Sequence, residues 1–183
     1  MKKCCIIFLL SIIISLTAFG VVGGLGSENS APNETEYLRI HIRADSNEHE
    51  AQAVKYLVKE EVVEYLTPLV AQYESMEEAY YGVADNLIKI EERASEVLKR
   101  NGFSYGAKAS VRRENFPTRV YEGYTLPAGE YTALIIELGS GKGDNWWCVV
   151  YPPLCFTATK GENVVYKSKI VEIIKAWRVK REG

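Results

Sequence analysis

The residues best equipped for chemistry are concentrated in the run GKGDNWWCVVYPPLCF at positions 141–156. This run contains Cys148 and Cys155, and the two histidines of the chain, His41 and His49, lie far upstream of it. A catalytic thiol needs a base within hydrogen-bonding reach. Because His41 falls on a predicted strand, Cys148 and His41 are the pair that a sheet would bring together.

A disulfide explains Cys148 and Cys155 better than catalysis does. Pro152-Pro153 folds the chain back between them, which lets their Cα atoms approach the ~4.4–6.8 Å that a bridge requires. In exported proteins, neighbouring cysteines are more often oxidised than reactive. A pair of buried thiols that fill the core is the alternative, because free cysteine is often buried.

Residue spacing gives little support to three other chemistries. The loop GSGKG at 139–143 has the glycines and the lysine that suit a phosphate, but a P-loop has a different spacing and precedes a helix. We predict a flexible hairpin loop there. The cysteines and histidines do not reproduce a zinc pattern, so we predict no metal and no cofactor. The carboxylates that a glycosidase would pair are not paired by spacing; they are Glu114, Glu130, Glu137 and Asp144.

The adjacent indoles of Trp146 and Trp147 favour recognition. On a strand they point to opposite faces, so one joins the core while the other is exposed or covered by a helix. An exposed aromatic side chain beside a rigid proline turn is typical of a protein-binding hot spot. We therefore interpret the run as a braced recognition surface of a protein that is not an enzyme. An envelope hydrolase that uses Cys148 or a carboxylate is the alternative.

The first 26 residues are typical of a signal peptide or a membrane anchor. Two lysines precede an uncharged run that ends at Gly26, and its core, Ile6–Ile14, is almost wholly aliphatic. This is the order of an export signal, and its length approaches the ~20 residues of a membrane-spanning helix. The acidic stretch SENSAPNETE at 27–36 predicts a disordered linker, which leaves 37–183 as a single domain. The formal net charge is −2, and no basic patch indicates nucleic acid as a partner.

The first half of this domain predicts one strand and two helices. Tyr37–Ala44, YLRIHIRA, alternates as a strand with apolar residues on one face and charged ones on the other. Asp45-Ser46 then caps a helix, which Pro68 ends. A second capping box at Ser75 begins one long amphipathic helix, which Asn101-Gly102 stops.

Strands predominate after Gly102, and one more helix follows at 164–180, with Ile170, Ile173, Ile174 and Trp177 facing inward. The predicted strands are 105–113, 119–125, 130–138 and 146–151. The strand at 130–138 is apolar on both faces in its middle, so we expect it to be central. Helices and strands segregated in this way predict a two-layer α+β sandwich, with helices on one face of a largely antiparallel sheet. The export or anchor helix would precede this sandwich.

Several stretches resemble the stage II sporulation protein R family of endospore-forming Firmicutes. They are RIHIRADS at 39–46, NFPTRVY at 115–121, LPAGEYTALIIELGSGKGDNWWCVVYPPLCF at 126–156, and a C-terminal helix of the KIVEIIKAW kind. The resemblance covers nearly all of the exported body, and its central run is long and unusual.

This resemblance implies a role that the residues alone do not supply. Members of the family are made in the forespore and exported into the space between the two septal membranes. There they trigger a membrane-embedded aspartic protease of the mother cell, which processes the precursor of sigma factor E. The implied role is that of a signal, whose N-terminal segment contacts the membrane.

We hypothesise that the 115–121 segment and the 145–156 hairpin lie together and engage the exposed part of the protease. The candidate contacts are Asn115, Phe116, Pro117, Trp146, Trp147, Tyr151, Pro152 and Pro153. For each of them, the alternative is that the side chain builds the fold. Binding would favour the active arrangement of the protease, a competent dimer, through differential affinity for that state.

Overall fold

The computed structural model describes residues 37–121, 124–156 and 164–182, which form four helices and six strands. In chain order these are β1 (Leu38–Arg43), α1 (His49–Val70), α2 (Met76–Asp85), α3 (Leu87–Arg100), β2 (Ala107–Phe116), β3 (Arg119–Tyr121), β4 (Tyr124–Leu126), β5 (Gly129–Leu138), β6 (Asn145–Tyr151) and α4 (Val164–Glu182). The predicted α+β class is confirmed. The predicted export segment at 1–26 and the linker at 27–36 lie outside the described residues.

Four strands form the main sheet in the order β2–β5–β1–β6, and β3 pairs with β4 in a separate two-stranded ribbon. β1 runs parallel to β5, whereas the β1–β6 and β2–β5 pairs are antiparallel. The sheet is therefore mixed, and the prediction of a largely antiparallel sheet missed its central parallel pair. Parallel neighbours need a long crossover, which the helices between β1 and β5 supply. The predicted central strand is confirmed, because β5 lies between β2 and β1.

β1 has two faces of different composition, and only Arg43 at its end is partly exposed. Leu38, Ile40 and Ile42 form its inner face, against which α1 and α2 pack. The buried stripe of α1 includes Val54, Val58, Val62 and Leu66. Since side chains alternate along a strand, the intervening residues form an outer face. These are Arg39, His41 and Arg43.

Helix α1 differs from the prediction at both ends. It begins at His49, and no side chain caps it; Ser46 instead accepts a hydrogen bond from the backbone N–H of Glu48 at 3.3 Å. The helix also continues through Pro68 to Val70. Proline removes one backbone hydrogen bond, but the last turn stays packed on the core because Val70 is fully buried.

The single long helix predicted to begin at Ser75 is two helices, α2 and α3, which meet at Asn86. The backbone of Asn86 has φ −102° and ψ 4°. Its side-chain amide donates to the Gly82 carbonyl at 2.8 Å and accepts from the Tyr65 hydroxyl at 2.6 Å. Asparagine often interrupts helices by such local bonds. The predicted cap is confirmed, since Ser75 Oγ accepts from the backbone N–H of Glu78 at 3.1 Å.

Helix α4 closes the core near the start of β1. Ile170 and Ile174 are buried, as their predicted inward orientation requires. The Trp177 ring packs edge-on against Tyr37, with 5.9 Å between centroids. None of the helices in the described part of the chain combines the length and the apolar character that crossing a membrane requires.

The glycine-rich loop at 139–144 is fastened to the residues that follow β1. The loop joins β5 to β6, which lie on either side of β1, so it crosses the end of β1. The prediction of a flexible hairpin loop is therefore wrong, because the two strands that the loop joins are not paired with each other. Asp45 binds it twice, accepting from the backbone N–H of Ser140 at 2.6 Å and from its hydroxyl at 2.7 Å. Gly143 lies so close to the Ser46 carbonyl that a Cβ there would overlap it. The loop thus fixes the start of β6 and, with it, both indoles.

Candidate functional site

Trp147 is the indole that reaches the outer face. In the pairing of β1 with β6 it lies opposite His41, and directly opposed residues share a face. Trp146 lies opposite Ile42 and points to the inner face. The adjacent tryptophans therefore serve different sides of the sheet, as strand alternation predicts.

Phe116, at the end of β2, closes over the same side. Its ring centroid lies 4.7 Å from that of Trp147 and 5.4 Å from that of His41. The contact confirms that the 115–121 segment and the tryptophan strand lie together. Aromatic pairs at such distances contribute about 1 kcal/mol beyond the area that they bury, so the cluster fixes the position of Trp147.

Arg39 is fully buried within this aromatic cluster. Its guanidinium carbon lies 4.1 Å from the Phe116 centroid and 4.7 Å from the Tyr131 centroid. Nη2 donates to the Tyr121 hydroxyl at 2.8 Å, whereas Nε and Nη1 have no hydrogen-bond partner among the described residues. Burial lowers the pKa of Arg39. Stacking on aromatic rings, worth about 2 kcal/mol when desolvated, offsets part of the cost of burying this charge.

His41 is fully buried beside Trp147, with 4.6 Å between ring centroids. Neither ring nitrogen has a hydrogen-bond partner in the described part of the chain. Burial, followed by the positive charges of Arg43, Arg112 and Arg39, lowers the pKa of His41 to about 3. The imidazole is therefore neutral near neutral pH and a weak base. Acid–base catalysis is most efficient with a pKa near the operating pH, so His41 is poorly suited to it.

Cys148 lies on the inner face, opposite Ile40. His41 lies on the outer face, so the two do not meet, and the alternative of a hydrolase that pairs Cys148 with His41 is wrong. Cys148 is fully buried, and its sulfur contacts that of Cys155. Their Cα atoms are 6.3 Å apart, a separation that permits the predicted disulfide.

Two arginines and two glutamates form an ion-pair cluster on the outer face. Arg43 donates to Glu114 at 2.6 Å and to Glu137 at 3.0 Å, and Arg112 lies 3.3 Å from each carboxylate. Residue spacing alone missed this cluster because its members come from β1, β2 and β5. Since each carboxylate is engaged by two guanidinium groups, the pair does not present the free acid and base that glycoside hydrolysis uses.

The predicted contacts omit Arg119, which the β3–β4 ribbon holds over the indole. Arg119 is exposed, and its guanidinium carbon lies 5.9 Å from the Trp147 ring centroid. Tyr121, two residues later, points to the same side and accepts a hydrogen bond from Arg39. Val120 between them is 66% exposed. We name Arg119 and Trp147 the ribbon surface; the alternation of RVY is the sequence signal that points to it.

The model of the family described as Stage II sporulation protein R matches residues 34–161. The chain belongs to the stage II sporulation protein R family. The Stage II sporulation protein R of Bacillus subtilis (strain 168) is 34% identical over 164 residues, which cover 85% of this chain and 72% of that protein. No solved structure matches the chain. The resemblance stated from the sequence is confirmed.

In this member of the stage II sporulation protein R family, the predicted contacts are divided between the two faces of the sheet. Trp147 is half-buried on the outer face, and Trp146 is half-buried on the inner one. Tyr151 is tied to the loop between α1 and α2, because its hydroxyl donates to the Glu74 carbonyl at 2.7 Å. The predicted patch is therefore not one continuous surface.

The remaining predicted contacts differ in exposure. Phe116 is 2% exposed, and Pro152 and Pro153 are buried immediately after β6. These three residues build the fold, which is the alternative that the sequence left open for them. Pro117 is half-buried, and Asn115 is exposed on the side of β2 opposite to Phe116. Contact of the exposed residues with a partner stays a prediction.

The described side chains include no group of three or more histidine, cysteine or acidic residues placed to hold a metal ion.

Proposed function

We propose that this protein is an exported signal that activates a membrane-embedded aspartic protease of the mother cell, leading to processing of the sigma factor E precursor. Membership of the family carries the proposal, since it identifies a protein of the second stage of sporulation. The step from that stage to a particular partner is an inference from what the family resemblance implies.

The geometry of the outer face supports a signalling role. The Trp147 ring packs against the rings of His41 and Phe116. The fastened loop at 139–144 fixes the start of the strand that carries Trp147. A rigid aromatic side chain presented in this way contacts a partner without losing much side-chain entropy. The arrangement fits recognition better than turnover.

Localisation follows from the same proposal. We infer that the protein is made in the forespore and exported into the septal intermembrane space. The uncharged run that follows Lys2 and Lys3 supports export. Whether cleaved or kept as an anchor, this segment places the 37–183 domain on the side of the membrane where the exposed part of the protease lies.

Activation requires that the protein bind one state of the protease more tightly than the other. A ligand shifts a conformational equilibrium only by its differential affinity for the two states. A tenfold preference for the active dimer raises the ratio of active to inactive protease by up to tenfold, which corresponds to about 1.4 kcal/mol. The proposed signal thus acts by contact and needs no chemistry of its own.

Co-expression in a non-sporulating bacterial host tests the proposal. The host would carry the full chain, the full-length protease and the sigma factor E precursor, with precursor cleavage measured by immunoblot. We expect cleavage only when all three are present, and none when the catalytic aspartates of the protease are replaced. A chain lacking residues 1–26 is the matched control, which should not activate because it stays in the cytoplasm. Unchanged precursor in the complete system would refute the proposal.

A further inference from the structure

Arg119 is a surface cation for which the described residues supply no counter-ion. Within the described residues no carboxylate pairs with its guanidinium, which contacts the Trp147 ring and the Thr118 carbonyl. Other arginines of the domain form ion pairs with glutamates; these are Arg43, Arg93, Arg100, Arg112 and Arg113. An exposed guanidinium that has no ion pair within the protein can bind a carboxylate of another molecule.

Among the described residues, Arg119 interacts with a second uncompensated positive charge, that of Arg39, although the chain carries a net charge of −2. Glu114 and Glu137 offset Arg43 and Arg112. Arg39 has no such offset: it is buried, two of its nitrogens have no described partner, and the charge of Arg119 helps to lower its pKa. The two cations therefore repel each other, and an anionic group placed at Arg119 relieves that repulsion.

We propose that the ribbon surface, Arg119 with Trp147, binds an acidic segment of the extracytoplasmic part of the protease. Arg119 would donate to a carboxylate of that segment, and the half-buried indole would pack against the adjoining chain. This inference rests on the proposed function and names the chemistry of the partner. The positive field also speeds the encounter, because charge complementarity raises association rates at low salt.

A charge reversal with a matched control tests the ribbon surface. Arg119→Glu in the full chain should lower precursor cleavage in the co-expression assay about tenfold at equal protein levels, since a like charge faces the acidic segment. Lys89→Glu makes the same charge change at an exposed position on α3 and should leave cleavage within about twofold. Arg119→Lys should lie between them, because it keeps the charge but loses the planar fork.

Binding to the protease in nanodiscs of neutral phosphatidylcholine identifies the source of the anionic group. The wild-type protein should bind, with an affinity that falls as salt rises, and Arg119→Glu should bind more weakly, with an affinity that no longer falls as salt rises. Vesicles of anionic phosphatidylglycerol without protease are the second arm. Equal loss of binding to these vesicles and to the protease would assign Arg119 to the membrane surface and overturn the proposal.

The outcomes separate the two proposals. If the wild-type protein fails to stimulate cleavage, the proposed function fails, and the partner named here fails with it. If the wild-type protein stimulates cleavage and Arg119→Glu matches Lys89→Glu, the proposed function stands and only the acidic contact is refuted. Matching urea-unfolding midpoints for wild type and Arg119→Glu exclude misfolding as the cause, as expected for an exposed side chain.

Discussion

The two faces of β1 are both removed from solvent, but by different kinds of neighbour. Ile40 and Ile42 are buried among aliphatic side chains of the core. Arg39 and His41 are buried under aromatic rings, and several of their nitrogens have no hydrogen-bond partner among the described residues. Burying a polar group without such bonds costs free energy. The inner face therefore stabilises the fold. The outer face instead buries polar groups at a cost in stability, as functional regions often do.

At neutral pH, truncation on the inner face should have the largest effect on stability. Ile40 is fully buried, and Ile40→Ala should lower the free energy of unfolding by about 3 kcal/mol, because it removes buried methyl groups and leaves a cavity. Urea unfolding followed by circular dichroism measures the change. Val120→Ala, at a residue that is 66% exposed, is the control and should change stability by less than about 0.5 kcal/mol. A loss below about 1 kcal/mol for Ile40→Ala would contradict this view of the inner face.

The predicted disulfide should stabilise the inner face by the next largest amount. Cys148 and Cys155 are 7 residues apart, and replacing both with alanine should cost about 2 kcal/mol, since a bridge restricts the unfolded chain. A reductant should lower the urea midpoint of the wild-type protein and leave that of the double variant unchanged. Peptide mapping that finds both cysteines separately alkylated in the oxidised protein would show that the bridge is absent.

The outer face should make stability depend on pH. The pKa of His41 is about 3 in the folded protein, against 6.5 for an unperturbed histidine. Between these two values the unfolded chain binds a proton that the folded protein does not. Stability should therefore be highest above pH 6.5 and fall as the pH decreases towards about 3, by up to about 1.4 kcal/mol per pH unit.

Two histidine variants isolate this slope. The charged groups that face His41 are Arg39 and Arg43 of β1 and Arg112 of β2, all of which oppose its protonation. His41→Phe should flatten the pH dependence of the urea midpoint, whereas His49→Gln, at an exposed position, is the control. An unaltered slope in His41→Phe would mean that other groups cause the acid sensitivity.

Removing the buried charge of Arg39 on the outer face should have the smallest effect on stability. Arg39→Met keeps an unbranched side chain but removes the buried charge, and should change the free energy of unfolding by no more than about 1 kcal/mol, because lost stacking is offset by lost desolvation. Tyr121→Phe, which leaves Nη2 of Arg39 without its acceptor, should cost about 1.5 kcal/mol. If Arg39→Met costs as much as Ile40→Ala, the outer face supports the fold as strongly as the inner one.

Local patterns predicted the parts of the fold that depend on neighbouring residues. The alternation of β1, the cap at Ser75 and the inward residues of α4 are all visible within a few positions of sequence. The parallel pairing of β1 with β5 was not predicted, because partner choice depends on contacts between distant segments. The break at Asn86 was missed for the same reason, since the Tyr65 hydroxyl that holds it comes from another helix.

The candidate site was predicted only in part. Trp147 and Phe116 were named from their residue types, and the structure brings them together. The burial of Arg39 was not foreseen, because a charged residue at an alternating position predicts a solvated face. Arg39 donates to the hydroxyl of Tyr121, a residue 82 positions away in the sequence. Alternation shows which side a residue faces, but it does not show what a later segment places on that side.

The place of β1 in the middle of the sheet sets a limit on how the N-terminus can be processed. Tyr37 is fully buried, and β1 begins at the next residue, between β5 and β6. A peptidase that removed β1 would take away the strand that joins those two, so the sheet would separate into halves. Every cut before Tyr37 spares the described strands. Exchange or shortening of the residues before Tyr37 would therefore leave every described strand in place.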